Sequence, residues 1–186
     1  LVGSEMCIRD RLNIVKGTRE DIDELASLYD DLNDFYAESE ENYAGWIKGI
    51  YPTREVALDG VNRGDLFLIR VHGRVAGTVI LNNEEDEGHD SIKWDNPNLK
   101  KNEVMVIHTL AIHPDYFKMG IGSKFMQFAE DYGRRIGAKT IRLDTGMRNL
   151  PAVKLYEKFN YKFLGNVKLD YNIPGLEEFK CYEKVL

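Results

Sequence analysis

The residues with the clearest chemical potential lie between Val104 and Ile136. An apolar, β-branched run, Val104 to Ile112, carries one titratable side chain, His108, and is stopped by Pro114. A short loop then closes on Gly120-Ile121-Gly122, after which Phe125, Phe128, Ala129, Tyr132 and Ile136 recur at helical spacing. Strand, glycine loop and helix in that order form an anion cradle. The first amides of a helix have no partner inside it, and the helix dipole places positive charge there. Glycine lets the backbone approach a bulky anion with no Cβ in the way. No Gly-Lys-Ser/Thr ends the loop, so it is not a Walker loop; Phe125 and Gln127 stand where a Gly-x-Gly-x-x-Gly fingerprint needs glycine. The residue types predict an anion, foremost a phosphate, and leave its identity open.

Two blocks narrow that reading. Leu110-Ala111-Ile112-His113-Pro114 followed by Gly120-Ile121-Gly122 resembles the acetyl-CoA site of the GCN5-related N-acetyltransferases, the GNAT family. In that family a strand ending Leu-Ala-Val-x-Pro is followed by Gln/Arg-x-x-Gly-x-Gly/Ala opening a helix. Asn149-x-x-Ala152-x-x-x-Tyr156-Glu157-Lys158-Phe159-Asn160-Tyr161 resembles a second block, Asn-x-x-Ala-x-x-Leu-Tyr-x-x-x-Gly-Phe. The resemblance runs from roughly Asn13 to the end and is sharpest from Val106 to Phe163. It implies acetyl-CoA as co-substrate, held by Leu110, Ala111, Ile112, Lys118, Met119, Gly120, Ile121, Gly122, Ser123 and Asn149. Lys124 is a further candidate for a phosphate. The family's Gln/Arg position falls on Phe117, which is expected to weaken the phosphate site without abolishing it.

Acetyl transfer to an amine has three requirements. The amine must lose a proton that a free alkylamine holds up to a pH near ~10.4. The thioester oxygen must be stabilised as charge develops, and the departing thiolate is best protonated. The resemblance implies Tyr156 as general acid toward the sulfur. The amide of Leu110 is the candidate oxyanion donor, in a run that pairs with pantetheine like an added strand. His108 is a candidate base: it titrates in the useful range, and simple alternation puts it on the face of Leu110, two residues on. His-x-Leu-Ala-Ile-His also resembles the arylalkylamine N-acetyltransferases. Glu103, at the start of the run, is the rival base, acting through water. His113, before Pro114, is read as structural. Transfer is expected to be direct, in a ternary complex, because no cysteine near the site offers a covalent intermediate. No metal is expected, since no His/Cys/Asp group has ligand spacing.

Those residues need elements to hold them. Leu12 to Lys16 reads as a strand, and Thr18 as the cap of a helix running to about Phe35. Tyr43, Trp46, Ile47, Ile50 and Tyr51 fall at helical spacing up to Pro52; they serve either as core or, as the family implies, as a wall of the acceptor pocket. Thr53 opens a further helix ending near Gly64. Asp65 to Val71 and Arg74 to Leu81 form a hairpin through His72-Gly73, with His72 exposed at its turn. Asn82 to Asn102 reads as a loop. Its acid run, Glu84 to Glu87, is either solvated or a negative lip attracting an amine cation; His89 within it is assigned no role. Thr140 to Thr145 is a strand returning parallel to Val104–Ile112, because a helix crosses between them. Asn149-Leu150-Pro151 starts a helix to Asn160, and Tyr161 to Leu169 and Glu178 to Val185 close the chain. The expected fold class is α/β (α+β). It is a mixed, twisted sheet of about seven strands with helices on both faces, the GNAT acyl-CoA N-acyltransferase fold, with acetyl-CoA between the fourth and fifth strands.

At 186 residues the chain suits one domain, expected over residues 12–186. Residues 1–11 have no useful periodicity and read as a non-native or disordered tail. A net charge of −6 argues against a nucleic-acid partner, which needs a basic face. The two cysteines, Cys7 and Cys181, make no disulfide framework, and with no signal-like segment they suggest the cytoplasm. No apolar run approaches the ~20 residues of a membrane span. The acceptor is expected to be a small-molecule amine or a protein amine, and a homodimer is compatible. A non-catalytic acyl-CoA-binding module is the alternative function.

Overall fold

Alternation along the second strand sets the layering. In the computed structural model, which describes residues 12–40 and 42–186, β2 (Leu66–Val71) sends Phe67, Ile69 and Val71 into one core and Leu66 and Leu68 into another. A strand covered on both faces is apolar throughout, which is why β2 and β3 (Arg74–Asn82) read as continuous hydrophobic runs. The first core lies under α3 (Ile121–Ile136) and α4 (Leu150–Lys158); Phe125, Met126, Ala129, Val153 and Tyr156 fill it. The second is covered by α1 (Ile22–Glu38) and α2 (Arg54–Arg63) through Leu25, Leu28, Leu32 and Ala57. The remaining strands are β1 (Ile14–Lys16), β4 (Val104–Ile112), β5 (Thr140–Gly146), β6 (Lys162–Lys168) and β7 (Glu178–Val185). The sheet runs β1-β2-β3-β4-β5-β7-β6, and among the described residues only β4 and β5 pair in parallel. The expected seven-stranded mixed sheet, with helices on both faces, is present.

Three local expectations are corrected. Residues 43–51 form no helix. Asn42 accepts the Gly45 amide at 2.8 Å and donates to the Trp46 carbonyl at 3.0 Å, while Gly45 (φ 70°) and Gly49 (φ 77°) take left-handed conformations that end helical propagation. The segment is a looped arm closed by an Ile47–Tyr51 bridge and a cis Tyr51–Pro52 bond. Ile136 is 43% exposed and leaves the buried stripe of α3. The stretch after β3 is not simply solvated: it lies on the sheet, held by Arg142. That guanidinium bonds Glu183 (3.1 Å), Glu85 (2.6 Å) and the Asn96 carbonyl (2.8 Å), and stacks over Trp94 at 4.3 Å. The tail reading for residues 1–11, and Cys7 with it, lies outside the described residues. No described helix is long and apolar enough to cross a membrane.

Candidate active site

The site begins where the parallel pair comes apart. β4 and β5 pair from Val104–Thr140 to Ile107–Leu143 and no further. β4 continues beside β3 to Ile112, and β5 beside β7 to Gly146. One extra residue in β4 lies at the opening. His108 to Ala111 on β4 faces Ile80 to Thr78 on β3, and Thr109 takes φ 46°, a rare conformation for a β-branched residue. The bulge resets the alternation. Ile107 and Leu110 both pack toward the α3 core, so His108 points to the opposite face and does not share the face of Leu110 as expected. Thr109 is hydrogen-bonded to the Tyr51 hydroxyl, tying the 42–52 arm to the bulge.

The cradle stands at one side of the opening. His113 accepts the Asp115 amide on Nδ1 at 3.1 Å, which leaves Nε2 as the donor to Asp31 at 3.1 Å. It anchors the turn Pro114–Tyr116 to α1, in keeping with its structural reading. Lys118 (φ 64°) and Gly120 (φ 80°) then turn the chain into α3. The first bond made inside α3 runs from the Lys124 amide to the Gly120 carbonyl at 3.1 Å, so the amides of Ile121, Gly122 and Ser123 precede any internal partner. A Cβ on Gly122 would press on the Leu155 side chain at 3.1 Å, so glycine here eases the close packing of α4 on the start of α3. Phe117 packs edge-on against Phe35 at 5.3 Å between ring centroids and lines the cavity.

A cavity of about 680 Å³ joins the cradle to the strand opening and the 42–52 arm. Of the expected residues, Leu110, Ile112, Lys118, Gly120, Ile121, Gly122, Ser123, Asn149, Tyr156 and His108 line it. Ala111 is buried toward α1, Met119 packs into the α3 core, and Glu103 lies away from it. Glu103 belongs to a turn before β4, where its carboxylate accepts the Lys100 amide at 3.0 Å. It precedes His108 by five residues, roughly 16 Å along a strand, at the closed end of the pair. Asn149 accepts the Ala152 amide at 3.3 Å and so caps α4 from the cavity edge.

Burial above all, with the nearby Asp144 charge, pushes the Tyr156 hydroxyl well up, so it stays protonated. Burial lowers His108 from its ordinary value. Its Nε2 lies 3.0 Å from Asn82 Oδ1 and 3.1 Å from the Glu84 carbonyl; facing two acceptors, it carries the proton, and Nδ1 holds the lone pair.

The opposite side of the cavity is lined by Trp46 and Tyr51, offered by the sequence as core or pocket wall, by Asp86 of the acid run, and by Tyr171 and Asp144, which the sequence reading passed over. His89, assigned no role, is 1% exposed and places Nε2 3.1 Å from Asp144 Oδ2. Burial alone would lower its pKa, but the hydrogen bond and the charges of Asp144, Asp86 and Glu85 raise it overall. Asp86, His89 and Asp144 are the group of described residues whose ligand atoms converge, within 4.8 Å of one another. Linear spacing gave no sign of them because they come from segments 55 residues apart. The Ile141-Arg142-Leu143-Asp144 alternation was the available signal: it marks Asp144 as facing away from Leu143.

Parallel strands that part beside a helix N-terminus thus open onto a single cavity, with free helix amides on one side and aromatic and acidic side chains on the other. Residues 25–161 match the model of the Acetyltransferase (GNAT) family, and the chain belongs to that family. The chain is 26% identical over 139 residues to the uncharacterized N-acetyltransferase MJ1207 of Methanocaldococcus jannaschii, an alignment covering 72% of this chain and 57% of that protein. The chain thus spans little more than half the length of that relative. A GNAT-family acetyltransferase from Streptococcus agalactiae 2603 superposes with a TM-score of 0.77 at 21% identity, covering 94% of this chain and 95% of that one. yncA from Salmonella typhimurium, whose structure includes its cofactor acetyl-CoA, superposes with a TM-score of 0.65 at 12% identity, covering 94% of each chain.

Proposed function

We propose that this chain is an acetyl-CoA-dependent N-acetyltransferase acting on a small primary amine by direct transfer in a ternary complex. The observation that carries the reading is the parting of β4 and β5 beyond Ile107 and Leu143, next to the unpartnered amides of α3. The acetyl-CoA bound to yncA, a protein of the same fold, supports the choice of co-substrate. Acetyl-CoA would supply an activated acyl group and a thiol leaving group. The amides of Ile121, Gly122 and Ser123, with Lys118, would hold its phosphates. The free edge of β4 from Leu110 to Ile112 would pair with the pantetheine amides, and the Leu110 amide would donate to the carbonyl oxygen.

Tyr156, kept protonated by burial, would give its proton to the departing sulfur. His108, neutral with a free Nδ1, is the candidate base. Cys181, the free cysteine among the described residues, is buried and its thiol is pushed up to about 12, foremost by that burial. A thiol so held is a poor nucleophile, which supports direct transfer. The aromatic wall of Tyr43, Trp46 and Tyr51 favours a small amine over a protein segment.

The test is the melting temperature with and without acetyl-CoA. At a hundred times its Kd, a ligand adds about 2.7 kcal/mol of stability. A clear rise, followed by amine-dependent release of free thiol, is expected. No rise at millimolar acetyl-CoA would remove the reading. Phe117 in the polar position of the family pattern favours a second reading, a non-catalytic acyl-CoA-binding module. That one predicts the same rise with no thiol release from any amine.

A further inference from the structure

The acceptor side of the cavity carries charge that the proposed transfer does not use. Asp86 and Asp144 both line it, bridged by Tyr171, whose hydroxyl lies 2.7 Å from Asp86 Oδ2 and 3.4 Å from Asp144 Oδ2. Among the described residues, no lysine or arginine pairs with either carboxylate; the one ion pair either of them makes is with His89. With His89 protonated, two negative charges still face one positive charge.

Asp144 is also placed where chemistry must occur. It is the first β5 residue past the last β4–β5 pair, Ile107–Leu143, so it stands at the apex of the opening. Leu143 packs toward α3 and α4, so Asp144 faces the chamber of Trp46 and Tyr51, whose rings meet edge-on at 5.6 Å. His89 serves this one carboxylate. Its Nε2 bonds Asp144, while its Nδ1 is buried with no hydrogen-bond partner. Burying an unsatisfied nitrogen is unfavourable, and the ring is held there by its bond to Asp144 and its edge-on contact with Trp94 at 5.6 Å.

We infer that Asp144, flanked by Asp86, receives the ammonium group of the acceptor, and that His89 and Tyr171 position its carboxylate. The inference rests on the N-acetyltransferase reading of the same cavity and names its substrate class. An ammonium beside two carboxylates and facing aromatic rings is attracted by both. A carboxylate on the carbon next to the amine would meet the same two charges and be repelled. The acceptor is therefore a primary amine with no acid group beside the nitrogen, and the α-amine of a free amino acid is disfavoured.

The test is equilibrium binding to protein saturated with CoA, which carries no acetyl group and permits no turnover. Methylammonium, phenethylammonium and phenylalanine are titrated calorimetrically. In the wild type, phenethylammonium is expected to bind at least about tenfold more tightly than phenylalanine, the worth of one charge-assisted hydrogen bond. Asp144→Asn should weaken phenethylammonium by a similar factor and narrow the gap to phenylalanine; Asp86→Asn should do so less. His89→Leu should follow Asp144→Asn, whereas His89→Gln, which keeps a donor, should restore binding.

The acetyl-CoA melting shift is recorded on every variant. Its loss in the wild type would overturn the enzymatic reading and the inference with it. Its presence, with no preference for the ammonium probes or with a preference that survives Asp144→Asn, overturns the inference alone. Failure of both ammonium probes to bind at millimolar concentration also overturns it. So does stoichiometric Zn²⁺ binding lost in Asp144→Asn and His89→Leu, which would assign the three residues to a metal.

Discussion

At the scale of single residues, the cavity sorts its titratable groups by environment. Tyr156 is 5% exposed and held in its protonated form. Tyr156→Phe removes one oxygen from a packed ring, so acetyl-CoA should still raise the melting temperature while kcat falls about 10²-fold or more, the usual worth of a general acid. Stopped thiol-release assays on the two proteins would check this; an unchanged kcat would remove Tyr156 from the chemistry. His89 gives a pH signature. Its pKa is raised in the folded protein, so the protonated ring favours folding. That stabilisation is complete below the ordinary value near ~6.5 and is lost as pH rises through the raised one. Melting curves across that window should show the wild type losing stability relative to His89→Gln above about pH 6.5. A constant difference would mean the Asp144 contact does not hold the proton.

At the scale of elements, two joints set the site. Gly120 enters α3 at φ 80°, and Gly120→Ala puts a Cβ on a left-handed backbone at a cost of about 1–2 kcal/mol. The melting temperature should fall by several degrees, with weaker acetyl-CoA binding because the first α3 amides are displaced. Thermal shift against an acetyl-CoA series reads both effects. The second joint is Arg142, whose side chain is 5% exposed against Glu183 at 0%. Arg142→Met leaves the Glu183 carboxylate buried and unpaired, which should cost about 3–5 kcal/mol in chemical denaturation. Adding Glu183→Gln should recover part of it. The same guanidinium holds Glu85, next to Asp86, so the joint that secures the 83–97 stretch also places the acidic wall.

At the scale of the whole molecule, the two faces of the sheet bring different linings to one cavity, and the parted strands connect them. α3 and α4 pack on one face and present the cradle. The 42–52 arm and the segments after β3 and β6 cover the other and present the acidic, aromatic chamber. Direct transfer needs both at once, and a covalent route would need a nucleophile at their junction. Cys181→Ala should therefore leave acetyl transfer intact, measured as thiol release at saturating amine. A loss of activity without loss of folding would contradict direct transfer.

What the sequence determined by itself were the features written in short-range periodicity and fixed spacing. Apolar runs, alternation and turn residues placed all seven strands, the 3.6-residue stripe placed α1 and α3, and Gly120-Ile121-Gly122 and Asn149 marked the starts of α3 and α4. These are local properties, set by backbone sterics and by which face of an element is apolar. Tertiary structure decided the rest. Tyr43 to Tyr51 has helical spacing, but two left-handed glycines make it an arm. His108 left the expected face because Thr109 adds one residue to β4, and a one-residue shift inverts every side chain beyond it. Glu103 looked placed for catalysis only while β4 was a line of letters; pairing showed that it starts at the closed end. Asp86, His89 and Asp144 met only when β5 was laid beneath the segment after β3. Contacts between distant segments leave no period in the sequence, and the acidic side of this cavity is built from such contacts.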